Sequence, residues 1–282
     1  MPKDITNYKR LKVKHPKKRP VLFAGFIGFT AILFGTAIYT IYKSTQESKD
    51  SGQDADSAPA MNIAELTEPE VFRQAYLNAN GGLDHLQTIQ SLRYNGYFIN
   101  GEQKKEFYVL KRRPEMLLMT FKVEGGDRTY GYKGGEFWMR LSNLDEAYQV
   151  AEVPEALIEG LERSVDMFGP LLTIYLQQKG RVLSIKTSEW EEQECLLVKV
   201  DSPNQGGLLD LYVNPEKMQI MAQITQESDG RESLALLTDY QDVNQLAIPF
   251  MTTVKVESEI ISQVVIEDLQ FNIGTPSSVF EK

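Results

Sequence analysis

The chain has 282 residues, 24% of them charged, and a formal net charge of −9 at pH 7, which excludes the broad basic face needed to neutralise nucleic-acid phosphates. Its single cysteine, Cys195, excludes an intrachain disulfide and a cysteine-based metal site, and of its two histidines only His85 follows the uncharged run at 21–42, which excludes a multi-histidine metal centre beyond that run. The length admits one large domain or two small ones.

The charge is unevenly placed. Residues 1–20 hold eight Lys/Arg against one acid, +7, leaving −16 to the rest. Residues 21–42, "VLFAGFIGFTAILFGTAIYTIY", carry no charge. At roughly 1.5 Å per residue they reach about 33 Å, enough to cross a bilayer core of about 30 Å. The run exceeds the ~7–15 apolar residues of a secretory signal, so we expect an uncleaved transmembrane helix. The basic segment before it places the N-terminus in the cytoplasm and the C-terminal domain in the periplasm. Tyr39 and Tyr42 fall where a far-side aromatic belt would lie. Residues 43–60, rich in Ser, Asp and Gln, read as a flexible acidic linker.

From 61 to 282 we expect one domain. Pro69–Asn78 reads as a helix, with Thr67 as N-cap and Val71, Phe72, Ala75, Tyr76 and Ala79 as its apolar stripe. Asn80-Gly81-Gly82 ends it, and "LDHLQTI" forms a second short turn. From Ser91 the period changes to two. "SLRYNGYFIN", "KKEFYVLKRR", "EMLLMTFKVE", "DRTYGYK" and "EFWMRL" are successive strands joined by turn residues. "PEALIEGLERSVDMFG" and "LLTIYLQQK" form a helical insertion broken at Gly169-Pro170. Seven further strand candidates run from "RVLSIKTSEW" to "IISQVVIEDLQF", with Asn214-Pro215 and Asp229-Gly230 at intervening turns. The fold class is mainly β. So many sequential antiparallel strands do not stay flat. We expect an incomplete antiparallel barrel of about 11 strands, its open side covered by helices.

Catalytic chemistry finds little support. His85 adjoins Asp84, but neighbouring helical residues do not face each other, and no nucleophile motif accompanies them. The acids of "SEWEEQE" lack the spacing of a calcium loop and read as a solvated hairpin tip. The glycines of "GGDRTYGYKGGEF" lie between strands, with no helix N-terminus to receive phosphate. Cys195, in the strand "ECLLVKV", reads as inert packing. We expect no enzyme activity, no cofactor and no metal.

Several segments together resemble the outer-membrane lipoprotein-sorting family (LolA/LolB-like). "AYLNANGG", "LDHLQTIQSL" and "NGYF" are similar to the way these proteins lead into their sheet. "LYVNPEKMQIMAQ" resembles their strand, Asn/Asp-Pro turn, strand hairpin. "DYQDVNQLAIPF" resembles a recurring element in which Gln245 stands where Gly is common, and "IEDLQFNIGTPSSVF" resembles the last strand and the Phe after it. The likeness spans about Phe72 to Phe280. It implies a half-barrel whose apolar cavity holds acyl chains of lipoproteins or lipids. Here an anchor would tie that domain to the inner membrane for transfer or sensing. Phe107, Val109, Leu117, Met119, Phe121 and Trp138 are the candidate cavity residues. The alternative is an envelope scaffold or interaction module with a filled barrel core and a protein partner.

Overall fold

The computed structural model describes residues 62–143, 146–226 and 230–282. The basic segment, the expected membrane span and the linker lie outside the described residues. No helix among the described residues is long and apolar enough to cross a membrane.

The first helix, α1 (Pro69–Ala79), begins on proline, whose missing N–H costs nothing in a first turn. Thr67 is not its cap. It belongs to a preceding single turn, where its hydroxyl donates to the Ala64 carbonyl (2.7 Å), and Glu68 holds the cap position without a side-chain bond. The helix buries Phe72, Tyr76 and Leu77, while Val71 is largely exposed. Asn80 Nδ2 closes the end by donating to the Tyr76 carbonyl (2.8 Å). Gly81 and Gly82 both have φ near +80°, and they turn the chain into α2 (Leu83–Thr88).

Thirteen strands then form one open antiparallel sheet, two more than the expected number. They are β1 (Ser91–Asn100), β2 (Gln103–Arg112), β3 (Met116–Val123), β4 (Gly126–Lys133), β5 (Glu136–Asn143) and β6 (Glu146–Ala151), then β7 (Arg181–Trp190), β8 (Gln193–Ser202), β9 (Gly207–Asn214), β10 (Gln219–Gln226), β11 (Glu232–Val243), β12 (Leu246–Val256) and β13 (Glu259–Phe271). The spatial order is β6-β5-β4-β3-β2-β1-β13-β12-β11-β10-β9-β8-β7. The chain thus starts in the middle of the sheet and walks out to one edge. It crosses to the other edge through α3 (Glu155–Val165) and α4 (Pro170–Gln177), and walks back to pair its last strand with its first.

At about 4.8 Å per strand, thirteen flat strands would span about 60 Å, too wide for these short helices to cover. The sheet curls instead. Lys179, two residues before edge strand β7, reaches Glu115 in the β2–β3 turn of the other half. Inward-facing residues of both halves therefore share one core with α1 and α4, including Phe72, Tyr94, Met119, Leu171, Leu211 and Val264.

Two local details fix register. At the β1–β13 joint the pairing shifts between Asn95 and Gly96, and a Cβ at Gly96 would sit 1.8 Å from the Val265 carbonyl oxygen. Only glycine fits this bulge. Between β9 and β10, Asn214 Oδ1 accepts from the amides of Glu216 (3.0 Å) and Lys217 (2.8 Å), so the Asn-Pro turn is built on an Asx motif. Gln245 has φ +66° in the β11–β12 turn, a conformation that glycine adopts most readily.

Gly96→Ala is expected to lower unfolding stability by about 3 kcal/mol or to abolish folding, since backbone must move. Gly101→Ala, where φ is +56° and a Cβ meets nothing within 4 Å, should cost only about 1 kcal/mol. Urea denaturation of the two variants checks the contrast.

Candidate functional site

The residues expected to line a cavity are core. Phe107, Val109, Leu117, Met119 and Phe121 are all buried, packed in the shared cluster beneath α1 and α4. Phe107 meets Tyr94 edge-on at 6.0 Å, and Phe121 meets Tyr130 at 6.2 Å. Helix α4 belongs to the same core. Pro170, Leu171, Leu172, Thr173 and Ile174 are buried in succession, so this helix is a plug with no solvent face in its first turns. The central gap left near Tyr76, Phe168, Met218 and Tyr240 is only about 40 Å³.

Trp138 faces the other way. It pairs with Gly131, whereas its neighbours Phe137 and Met139 pack against the core. A Cβ on Gly131 would lie 2.1 Å from the indole, so the missing side chain gives the ring its seat on the outer face. The C-terminal segment covers it. Trp138 Nε1 donates to the Phe280 carbonyl (3.1 Å), Arg112 donates to that of Thr275 (2.8 Å), and Phe280 is fully buried.

Open space lies instead at the seam between the sheet's two edges. A cleft of about 870 Å³ runs between β4, β5, the segment after β6, α3 and the β8–β9 connection, where Pro203, Asn204 and Gly207 contribute. Tyr132, Phe137, Val153, Ile158 and Val165 supply its apolar lining, and Glu152, Glu159 and Glu162 its acidic rim. Buried Arg163 donates to Glu159 (2.5 Å). Beside the cleft is a smaller pocket of about 230 Å³, lined by Lys111, Arg112, Arg113, Asp166 and Met167 among others. Glu115 and Val165 line both.

An ionic group stands at this boundary. Lys179 bridges Glu115 and Asp166, whose Oδ1 accepts from it at 3.1 Å. Burial alone would lower the Lys179 amine, but the two carboxylates outweigh it and raise it. Glu115 adopts φ +124°, a conformation that favours glycine and marks local strain. Lys111 is 1% exposed and donates to the Asp166 backbone carbonyl (2.6 Å). Burial lowers its pKa to about 7, with Asp166 pulling the other way.

The remaining candidates resolve structurally. His85 Nε2 lies 2.7 Å from the Asn244 carbonyl and ties α2 to the β11–β12 turn. Glu191 and Glu192 form the two-residue tip between β7 and β8, both with positive φ. Cys195 is buried, and burial followed by Glu189 and Glu194 pushes its thiol pKa up, the reverse of an activated nucleophile. Among the described residues, no group of three or more His, Cys, Asp or Glu could hold a metal.

Sequence alternation could have identified Lys111. It follows Phe107 and Val109 at steps of two, so its side chain had to point inward. Because its folded pKa lies below its unfolded one, the unfolded chain binds more protons between about pH 7 and pH 10, and stability must rise with pH across that window. Wild type should gain on Lys111→Met by up to about 1.4 kcal/mol per pH unit there and show a constant difference below about pH 6.5. Urea titrations from pH 6 to 9 measure this.

Comparison with known proteins gives a fold. No family model matches the sequence, and no curated protein matches it. Among solved structures, a LolA superfamily protein from Nitrosomonas europaea superposes with a TM-score of 0.54 at 11% identity, covering 74% of this chain and 97% of that one. The MucA/MucB complex of Pseudomonas aeruginosa gives a TM-score of 0.28 at 8% identity, covering 75% of this chain and 61% of the matched one. The Mycobacterium tuberculosis lipoprotein LppX gives 0.30 at 11%, covering 74% and 98%. The last two superpositions are too loose to carry an argument. The first agrees with the resemblance seen in the sequence, and on that agreement the chain is assigned the LolA-like fold.

Proposed function

We propose that this protein is an inner-membrane-anchored periplasmic domain that binds the acyl chain of a lipid or lipidated protein, for transfer or sensing and without chemistry. The observation that carries the reading is the seam cleft. Its 870 Å³ falls within the roughly 300–1,000 Å³ of small-molecule sites, and its apolar side chains are held by the sheet and α3. Each methylene removed from water is worth about 0.8 kcal/mol, so hydrocarbon needs no charged anchor there. The acyl site is accordingly placed in the cleft, not in the packed interior around Met119. The anchor is proposed from the uncharged residues 21–42 and the basic segment before them.

A second reading is favoured by the filled interior: an envelope interaction module that contacts a protein partner through edge strand β7 or through α3. Extraction of the native chain discriminates the two. Co-purifying lipid supports acyl binding, and a stoichiometric protein without lipid supports the module.

The full chain, stripped of lipid and kept soluble by an amphipathic polymer, should take up a fluorescent fatty-acyl probe to saturation at one per chain. Ile158→Asp, a half-buried position on the cleft wall, should weaken uptake about tenfold or more, a difference of about 1.4 kcal/mol. Absence of saturable uptake would sink the acyl reading. Protease added to spheroplasts should degrade the domain and spare the N-terminal segment; protection of the domain would reverse the proposed orientation.

A further inference from the structure

Residues 272–282, which follow β13, are fastened to the outer face of the sheet by one side chain and by their backbone. Of these eleven residues Phe280 alone is buried. A segment that merely completes a fold buries side chains along its length; this one buries a single ring. The turn that carries it, Ser277–Phe280, lies on β3 and β4, over the row in which Leu110, Leu118, Gly131 and Trp138 pair across β2–β5. Leu110, Trp138 and Phe280 are buried, yet none of them belongs to the cluster shared by the two halves of the sheet. The outer face therefore carries a small apolar core of its own.

Four polar grips fall on main-chain carbonyls. Arg112 donates to Thr275 (2.8 Å), Lys133 to Ser277 (3.4 Å), Trp138 Nε1 to Phe280 (3.1 Å) and Arg140 to Glu281 (3.4 Å). Side-chain charge enters at the far end, where Lys133 also meets Glu281 (2.5 Å) and Lys282 meets Glu136 (3.1 Å). The donors and the apolar floor all come from β2–β5, and they read a stretch of peptide backbone with one aromatic residue on it. The segment leaves the sheet at Ile273, whose carbonyl accepts from Ser91 Oγ (2.8 Å). Gly274 follows, exposed, and a Cβ there would meet nothing within 4 Å. It is a pivot about which the segment can swing without breaking any packing.

We propose that two copies of this chain pair by exchanging these segments, each seating its Phe280 on the other's β2–β5. The occupant is a second copy because the sequence that fits the seat is the one every copy carries, and an exchange remakes each contact it breaks. From Gly274 to Phe280 the chain spans at most about 20 Å, so the two copies must meet outer face to outer face about a twofold axis. The pairing stands apart from the acyl-binding reading, since the seam cleft lies on the opposite side of the sheet.

The test uses the full chain in mild detergent. Trp190→Phe leaves Trp138 as the one indole. Phe280→Ala in that background empties the seat and should move Trp138 emission to longer wavelength. A second chain, carrying Trp138→Phe with Trp190→Phe, has no indole but keeps its Phe280. After equilibration with the first it should return the emission towards shorter wavelength, saturably, and light scattering should find a protein mass of two chains. Emission that stays with the Phe280→Ala chain at every ratio overturns the exchange. Should Phe280→Ala fail to fold or to move the emission, wild type decides. Its mass should rise from one chain towards two with concentration, and an excess of a synthetic peptide spanning residues 275–282, competing for the seat, should bring it back to one. A mass fixed at one chain, or a dimer indifferent to the peptide, overturns the proposal and leaves acyl binding untouched.

Discussion

The pairing of the first strand with the last governs everything else in this molecule. Because β1 and β13 lie side by side, the two meanders can only grow outward from that joint, and the connection between them must run from one edge of the sheet to the other. A curled sheet offers one short route, across its concave face. Helices α3 and α4 take it. The half-barrel is therefore filled by its own crossover, and Leu171, Leu172 and Ile174 occupy the space that a simple open barrel would leave vacant. The same joint makes the fold slow to assemble, since residues some 170 positions apart must meet before either half gains its neighbour, a topology of high contact order. Gly96 sits within it, where any side chain would strike the Val265 carbonyl.

Charge placement is set by that crossover. The chain leaving α3 passes Asp166 over β2, and the chain leaving α4 brings Lys179 back beside it. A buried carboxylate with one lysine at its side-chain oxygen and another at its backbone carbonyl would be ruinous if unpaired, because an isolated interior charge costs several kcal/mol or more. Here the pairing is partial. Lys179 is held protonated by two carboxylates, while burial drags Lys111 towards neutrality. This ionic group is best understood as fixing the crossover's path over the sheet; its net contribution to stability is small, since the attraction within buried pairs seldom offsets their desolvation in full. It also positions the Asp166 oxygen that remains without a partner.

Much of the fold was legible in the sequence because period-two alternation survives wherever one face is buried. The meanders, their glycine turns, the helical insertion and the Gly81-Gly82 stop all follow from residue type. Three features did not. Strand β6, "EAYQVA", contains a single β-branched residue and no strong alternation, so composition hides it. In "FWM" three apolar residues stand in a row, which conceals that Trp138 turns outward. The available signals were Gly131 one hairpin back and Phe280 beyond the last strand. Whether the interior holds free space was the third. Alternation tells which residues face inward, as it did for Phe107, Val109, Leu117, Met119 and Phe121, but not whether inward space is empty. That depends on where a helix from another part of the chain lies.

What the open sheet retains is the seam. A closed barrel would pair β6 with β7 and leave no backbone edge; here β7 packs against α1 and the turn before it, and α3 buries Gly160, Leu161, Arg163 and Ser164 but leaves Glu155, Glu159 and Glu162 in solvent and Leu157, Ile158 and Val165 half-covered. Helix α4, by contrast, is enclosed through its first five residues. Local opening free energy tracks such burial, so α3 should open at lower cost than α4. The 870 Å³ cleft lies beside α3, so a ligand of the proposed kind would meet the less enclosed of the two crossover helices.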